Sequence, residues 1–131
     1  MFRKVKSLIR GIGIGLIEVA RFREKLSDAY IAEVFLPSEI EYCRSQVRYW
    51  ENFAARYAAR KAAFKAIGER LPFQKKFCEV EVVRDKDTGA VTLKLHGETE
   101  RAAAERGIRK LHLSLSHTGE SAVALVVAEG D

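Results

Sequence analysis

Cysteine is nearly absent: Cys43 and Cys78 are the two cysteines among 131 residues. Their separation does not match the spacing of a zinc site or a redox dithiol. They read as two buried thiols in a reducing compartment, one on a helix and one on a strand. Long apolar runs are missing as well. The N-terminal stretch MFRKVKSLIRGIGIGLIEVARF starts basic and turns apolar, but Arg10 interrupts it and Glu18 closes it too early for a membrane span. No small-residue cleavage signal follows. A soluble, cytoplasmic protein with no membrane partner is expected. Internal repeats and low-complexity tracts are also lacking, which excludes repeat arrays and disordered linkers.

What is present is a globular balance, 47% hydrophobic and 31% charged, in a length that suits one domain over residues 1–131. Net charge is +5, and it is uneven: between Arg44 and Lys76 nine Lys or Arg face two acids, Glu51 and Glu69. A basic surface of this kind attracts something anionic, whether nucleic acid, phosphates, an acidic membrane or an acidic protein.

The patterning predicts helices in the first half and strands mostly in the second. Residues 8–14 read as a short strand running into glycines, followed by a helix from about Ile17 to Lys25. Ser27 or Asp28 caps a second helix reaching Phe35, and Pro37 with Ser38 opens a third. The strongest helix, Trp50 to Ile67, is rich in Ala and stops at Gly68. Phe77–Arg84 and Ala90–Leu95 read as a hairpin around Asp87, Thr88 and Gly89. A helix from about Glu98 to Glu105 precedes a second strand pair, Leu111–Ser116 and Ala122–Ala128. The expected class is α+β, with helices packed on one face of a largely antiparallel sheet.

Few residues carry chemistry. Gly11, Gly13 and Gly15 alternate, but a dinucleotide fingerprint requires its third glycine at Leu16, so GIGIG reads as a tight strand exit. On the long helix, Trp50, Phe53, Tyr57 and Phe64 form one stripe, and Lys61 falls beside it with Lys65 at the edge. An ammonium on an aromatic face must snorkel out, pair with a carboxylate or meet a bound anion. His117, at a strand end in SLSHT, is either a structural histidine or an acid, base or phosphate donor near neutrality. His96, His112 and Ser114 form no zinc set or triad. Arg48, Arg56 and Arg60 could form a basic helical face, but no nucleic-acid motif accompanies it, so nucleic acid is not an expected partner.

Taken in order, GIGIGLIEVARF (11–22), VFLPSEIEYC (34–43), FAARYAARKAAFKAIG (53–68) and LSLSHTGESAVALVVAE (113–129) resemble the signatures of the holo-acyl-carrier-protein synthases, a family of 4'-phosphopantetheinyl transferases. The resemblance implies the α+β fold of that family, a homotrimer, and clefts shared by adjacent subunits. It implies transfer of 4'-phosphopantetheine from coenzyme A to a serine of an acidic acyl carrier protein, as in fatty acid biosynthesis, with release of 3',5'-ADP. Lys65 then lies near the transferring phosphates and His117 beside the nucleotide across the subunit boundary. Lys61, Gly68 and Ser116 complete the coenzyme A and phosphate set, and Arg21 with Arg23 meets the carrier.

Two positions depart from the resemblance. The family's metal-binding aspartate position is Gly15 here, and its metal-binding glutamate position is Lys61, preceded by Arg60 in place of lysine. Magnesium takes oxygen ligands, commonly carboxylates plus substrate phosphates, so it is not expected to bind. Glu18, one helical turn away, is the remaining candidate ligand. Two functions follow: a non-catalytic relative that binds coenzyme A or a carrier protein, or a metal-independent transferase in which Lys61 supplies the missing positive charge. If both positions face one cleft, Gly15→Asp with Lys61→Glu is expected to create a magnesium site, and Lys61 and Lys65 are expected to share that cleft.

Overall fold

A computed structural model describes residues 7–70 and 74–131. Its core is a three-stranded antiparallel sheet in the order β1 (Leu8–Glu18), β5 (Ser121–Gly130), β4 (Ile108–His117). The long helix α4 (Tyr49–Ile67) packs against β1 and β5. Short helices α1 (Val19–Arg23), α2 (Asp28–Val34) and α3 (Pro37–Arg44) lead from β1 into α4. Beyond α4, a 3-10 segment (Gln74–Glu79) runs into the separate hairpin of β2 (Val80–Arg84) and β3 (Val91–Leu95), and α5 (Gly97–Glu105) leads into β4. The expected α+β arrangement, with helices against one face of an antiparallel sheet, is what the chain adopts.

The largest local difference is in β1. GIGIG is the interior of an 11-residue strand, not a strand exit. On its inward face, a methyl group added at Gly15, Gly13 or Gly11 would overlap the carbonyl oxygen of Ala58, Ala62 or Ala66 respectively. Four helical residues advance about 6 Å and two strand residues about 6.7 Å, so this one-to-one match persists along the seam. Glycine and alanine therefore let α4 lie backbone to backbone on the strand. The outward face of β1 carries Ile12, Ile14 and Leu16, all exposed.

Local signals placed the helix ends well. Ser27 Oγ accepts from Tyr30 N at 3.1 Å at the start of α2, and Gly68 closes α4 in the left-handed conformation at φ 86°. Glu39 Oε1 accepts from Leu36 N at 2.9 Å, which fixes the start of α3. The strand expected from Phe77 begins only at Val80, because Gln74–Glu79 coils as a 3-10 segment. Cys78 thus lies on that segment and is half-buried, with Sγ 3.5 Å from Val34 O. Cys43 is fully buried on α3, and both thiols are free.

Arg60 is the buried polar centre of the helical layer. It lies about 200° around α4 from Ala58, so it points away from β1, and its side chain is inaccessible. Its Nε donates to Val80 O at 2.8 Å, and its two terminal nitrogens donate to Val34 O and Glu39 Oε1. Glu39 Oε2 in turn accepts from Val82 N at 3.1 Å. The pair occupies one edge of β2 as another strand would, and desolvation lowers the Arg60 pKa from its ordinary value.

Candidate functional site

One cavity gathers several of the residues singled out in the sequence. It is bounded by the end of β1, by α1 and by α4, has a volume of about 370 Å³, and is lined by Glu18, Arg21, Lys25, Tyr30, Tyr57 and Lys61 among others. Three of those side chains are cationic and one is acidic. The wall behind them is phenolic: burial raises the Tyr30 and Tyr57 pKa values, and for Tyr30 the neighbouring Tyr57 adds to the effect. Lys61 is half-buried and lines this cavity. Such a lining suits an anion.

Lys65 is placed differently from expectation. It does not line this cavity; it reaches over β1, where its Nζ donates to Ile14 O at 3.0 Å. A backbone carbonyl meets the lysine because the glycine seam brings β1 within reach of α4. Position 15 also differs from the expectation of a shared cleft. An added Cβ would stand 2.9 Å from the carbonyl carbon of Ala58, in addition to overlapping its oxygen. A side chain at this place requires strand and helix to part.

His117 belongs to a second cluster at the start of α4. Its Nδ1 lies 3.1 Å from Glu51 Oε1, and Arg48 Nη1 lies 3.5 Å from Glu51 Oε2. Glu51 is buried and His117 partly exposed. Sequence reasoning missed Glu51, since 66 residues separate the partners and no pattern links them. Ser116 is exposed on the outer sheet face opposite Val123, and Gly68 caps α4. Within one chain, then, His117 and Ser116 do not join Lys61.

Arg21 lines the Lys61 cavity. Arg23 stacks over the Trp50 ring at 3.6 Å to its centroid, which ties α1 to α4. The basic helical face that Arg48, Arg56 and Arg60 could have offered to nucleic acid is not formed. Arg48 is exposed, but Arg56 is 4% and Arg60 0% exposed, because α4 is a central helix whose polar side is covered by α3 and β2. Among the described residues there is no group of three or more His, Cys, Asp or Glu arranged to hold a metal. No helix of the described residues is long and apolar enough to cross a membrane.

Comparison with known proteins agrees with this architecture. The family model of the 4'-phosphopantetheinyl transferase superfamily matches residues 11–126. The holo-[acyl-carrier-protein] synthase of Koribacter versatilis (strain Ellin345) is 38% identical over 125 residues, covering 93% of this chain and 99% of that protein. The holo-(acyl-carrier-protein) synthase of Bacillus anthracis str. Ames, solved in complex with CoA (3',5'-ADP), superposes with a TM-score of 0.75 at 34% identity, covering 94% of this chain and 98% of that one. The holo-ACP-synthase of Plasmodium yoelii superposes with a TM-score of 0.80 at 26% identity, covering 97% and 99%. The chain therefore belongs to the 4'-phosphopantetheinyl transferase superfamily.

Proposed function

We propose that this protein is a holo-acyl-carrier-protein synthase-like member of the superfamily that binds coenzyme A and an acidic acyl carrier protein, with the transfer of 4'-phosphopantetheine lost or weakened. The reaction named by its relatives supports the choice of ligands. The observation that carries the proposal is the pair of positions where the resemblance expects metal carboxylates. At Gly15 the side-chain direction is filled by the carbonyl of Ala58, and at the second position the cationic Lys61 lines the cavity.

A divalent cation does not fit this donor set. Replacing two anionic ligands by a glycine and an ammonium opposes a doubly charged ion by several kcal/mol, taking about 4 kcal/mol per unit-charge pair at 4 Å and an effective dielectric near 20. Glu18 is a single carboxylate in a cavity it shares with three cations. The anion that fits is a substrate phosphate. Lys61, Arg21 and Lys25 can receive the pyrophosphate of coenzyme A without an intervening ion, while Lys65 of α4 is held on Ile14 O of β1.

A second reading, metal-independent transfer, is favoured by the half-buried placement of Lys61. An ammonium held in a partly desolvated cavity stabilises charge developing on a phosphate without moving at the moment of reaction. One experiment separates the two readings. The protein is incubated with coenzyme A and a panel of apo-carriers, first with magnesium and then with chelator, and the carrier mass is measured. Unmodified carrier in both arms, together with calorimetric binding of coenzyme A, is the expected result. A gain of the phosphopantetheine mass in chelator establishes the metal-independent transferase, and a gain only with magnesium overturns both.

The proposal includes assembly as a homotrimer whose clefts are completed by a neighbour. Its support is the outer sheet face, where Ile12, Ile14 and Leu16 of β1 stand beside Val127, Leu125 and Val123 of β5. The β1 side of that patch is more than half exposed in the single chain, at 58%, 55% and 63%. A continuous apolar patch of this kind marks an interaction surface.

A further inference from the structure

β4 pairs Leu111, Leu113 and Leu115 with Ala128, Val126 and Ala124 of β5, and this row of β5 residues is buried beneath the helical layer. Side chains alternate along a strand, so the next inward place on β4 falls to His117, opposite the buried Ala122. The long helix makes a matching exchange. Glu51 precedes Ala58 by seven residues, which brings it to within about 20° of the same helix face, the face of the alanine seam. It is buried there. Two apolar rows thus end on one polar pair, His117 Nδ1 and Glu51 Oε1 at 3.1 Å.

A leucine and an alanine at these two places would simply continue the core. Burying a carboxylate costs free energy unless it is paired and hydrogen-bonded, and replacing a buried charged pair by apolar residues is often neutral or stabilising. Stability alone therefore does not explain the choice. The surroundings define what the pair can do. Glu51 stands in the first turn of α4, where the helix dipole favours an anion, and its second cation, Arg48, is exposed and stands off at 3.5 Å. A carboxylate accepts hydrogen bonds and does not donate them. The hydrogen of the imidazole that faces it consequently lies on Nδ1, and Nε2 is turned away from Glu51. The His117 side chain is partly exposed, and Nε2 has no partner among the described residues.

We propose that Glu51 is a positioning residue: it fixes His117 with Nδ1–H inward and Nε2 aimed at the ligand. The proposal rests on the coenzyme A reading, which brings a ligand to His117. A neutral ring offers Nε2 as an acceptor, and a ring carrying both protons offers it as a charged donor. In either state the ring's orientation is set from α4, and the buried anion favours the charged form. A carboxylate behind an imidazole has this effect wherever the two are paired, holding one tautomer and one direction.

The test uses the full chain with isotope-labelled histidine, the His117 signals being assigned by their loss in His117→Ala. Ring-nitrogen NMR shifts of the neutral ring, read at alkaline pH, are expected to place the hydrogen on Nδ1 in wild type and to lose that preference in Glu51→Ala. Coenzyme A affinity, measured by calorimetry, should fall roughly tenfold in Glu51→Ala. The double variant Glu51→Ala with His117→Ala should bind no more weakly than His117→Ala alone, because Glu51 acts through the ring. A residue that only props the fold would lower the affinity again in the His117→Ala background. Circular dichroism checks folding, and Glu51→Gln takes the place of Glu51→Ala in the cycle if the latter does not fold. A hydrogen on Nε2 of the neutral wild-type ring, or additive losses in the cycle, overturns the proposal. Wild type that does not bind coenzyme A overturns the coenzyme A reading instead, and the ring-nitrogen measurement then decides the role of Glu51 by itself.

Discussion

Along β1 and β5, Gly13, Gly15, Ala122 and Ala124 face α4, while Ile12, Ile14, Val123 and Leu125 face away from it. The same two strands thus present their smallest residues to the core and their large apolar residues outward, the reverse of an isolated sandwich sheet. On the covered face, packing is achieved by bringing backbones together, with no room for a side chain. On the open face, apolar area is left for something else to cover. The consequence for function is that the covered face holds position 15 shut, while Lys61, a quarter turn off the seam, stays accessible to a ligand.

The covered face is the easiest to break. Gly13→Val would drive a branched side chain into the carbonyl of Ala62. Overpacking a tight core costs about 1–3 kcal/mol where side chains can yield, and here the obstacle is backbone, so a loss above about 3 kcal/mol or complete unfolding is expected in urea denaturation. Gly15→Asp meets Ala58 in the same way. The double variant Gly15→Asp with Lys61→Glu is therefore expected to lose stability and not simply to gain a magnesium site. Calorimetry with magnesium and coenzyme A on a folded double variant checks this: magnesium affinity restored at unchanged stability would show that strand and helix part readily.

The seam also depends on what holds α4 from its far side. Glu39→Ala leaves the Arg60 guanidinium buried without its anion, a change expected to cost about 3–5 kcal/mol, measured as a fall in denaturation midpoint. Replacing Arg60 and Glu39 together by Met and Leu removes both charges and should recover much of that loss. If the single and double replacements are equally damaging, the pair is valuable for shape and its charge balance is secondary.

How legible this was in the sequence differs between the faces. Element types came through because their signals are local: Ser27 before α2, Pro37 at the head of α3, and Gly68 after α4 each act within a few residues. GIGIG reads as a strand exit from sequence alone, since its meaning lies in Ala58, Ala62 and Ala66, far away in the chain and unremarkable as helix formers. Arg60 reads as surface for the same reason. Its partners Glu39, Val34 O and Val80 O are 20 to 26 residues away, and charge alone does not announce burial. Lys61 was legible through the aromatic stripe beside it, whereas Glu51 behind His117 was not.

A smaller effect tests the helical layer without disturbing the seam. Burial pushes the Cys43 thiol from 9.0 up to about 11. As pH rises through that window, the unfolded chain releases the proton while the native chain keeps it. The native state then binds more protons, and stability falls with increasing pH. The loss attributable to Cys43 is about 2 kcal/mol by pH 11, at about 1.4 kcal/mol per pH unit and discounted for partial solvent screening. Tyr30 and Tyr57, raised above their ordinary value of 10.0, steepen the same slope at its upper end. Denaturation from pH 8 to 11 should show the decline in wild type and a shallower one in Cys43→Ala. Equal slopes would place the alkaline sensitivity on Cys78 and the tyrosines, whose pKa values burial also raises.

The open face should respond in the opposite manner, with little effect on the fold of one chain and a large effect on association. Leu125 sits on the central strand with Ile14 on one side and Ser114 on the other, its side chain outward. Leu125→Asp places a charge in the middle of the apolar patch without touching α4, so the stability of the protomer should change by less than about 1 kcal/mol. A charge buried in a subunit contact is not tolerated unless paired, so the proposed trimer should dissociate. Sedimentation at tens of micromolar is expected to give a trimer for wild type and a monomer for Leu125→Asp, with both folded by circular dichroism. If the mutant keeps the wild-type mass, the apolar patch is not the assembly surface. A composite site with His117 supplied by a neighbour would then need a different contact.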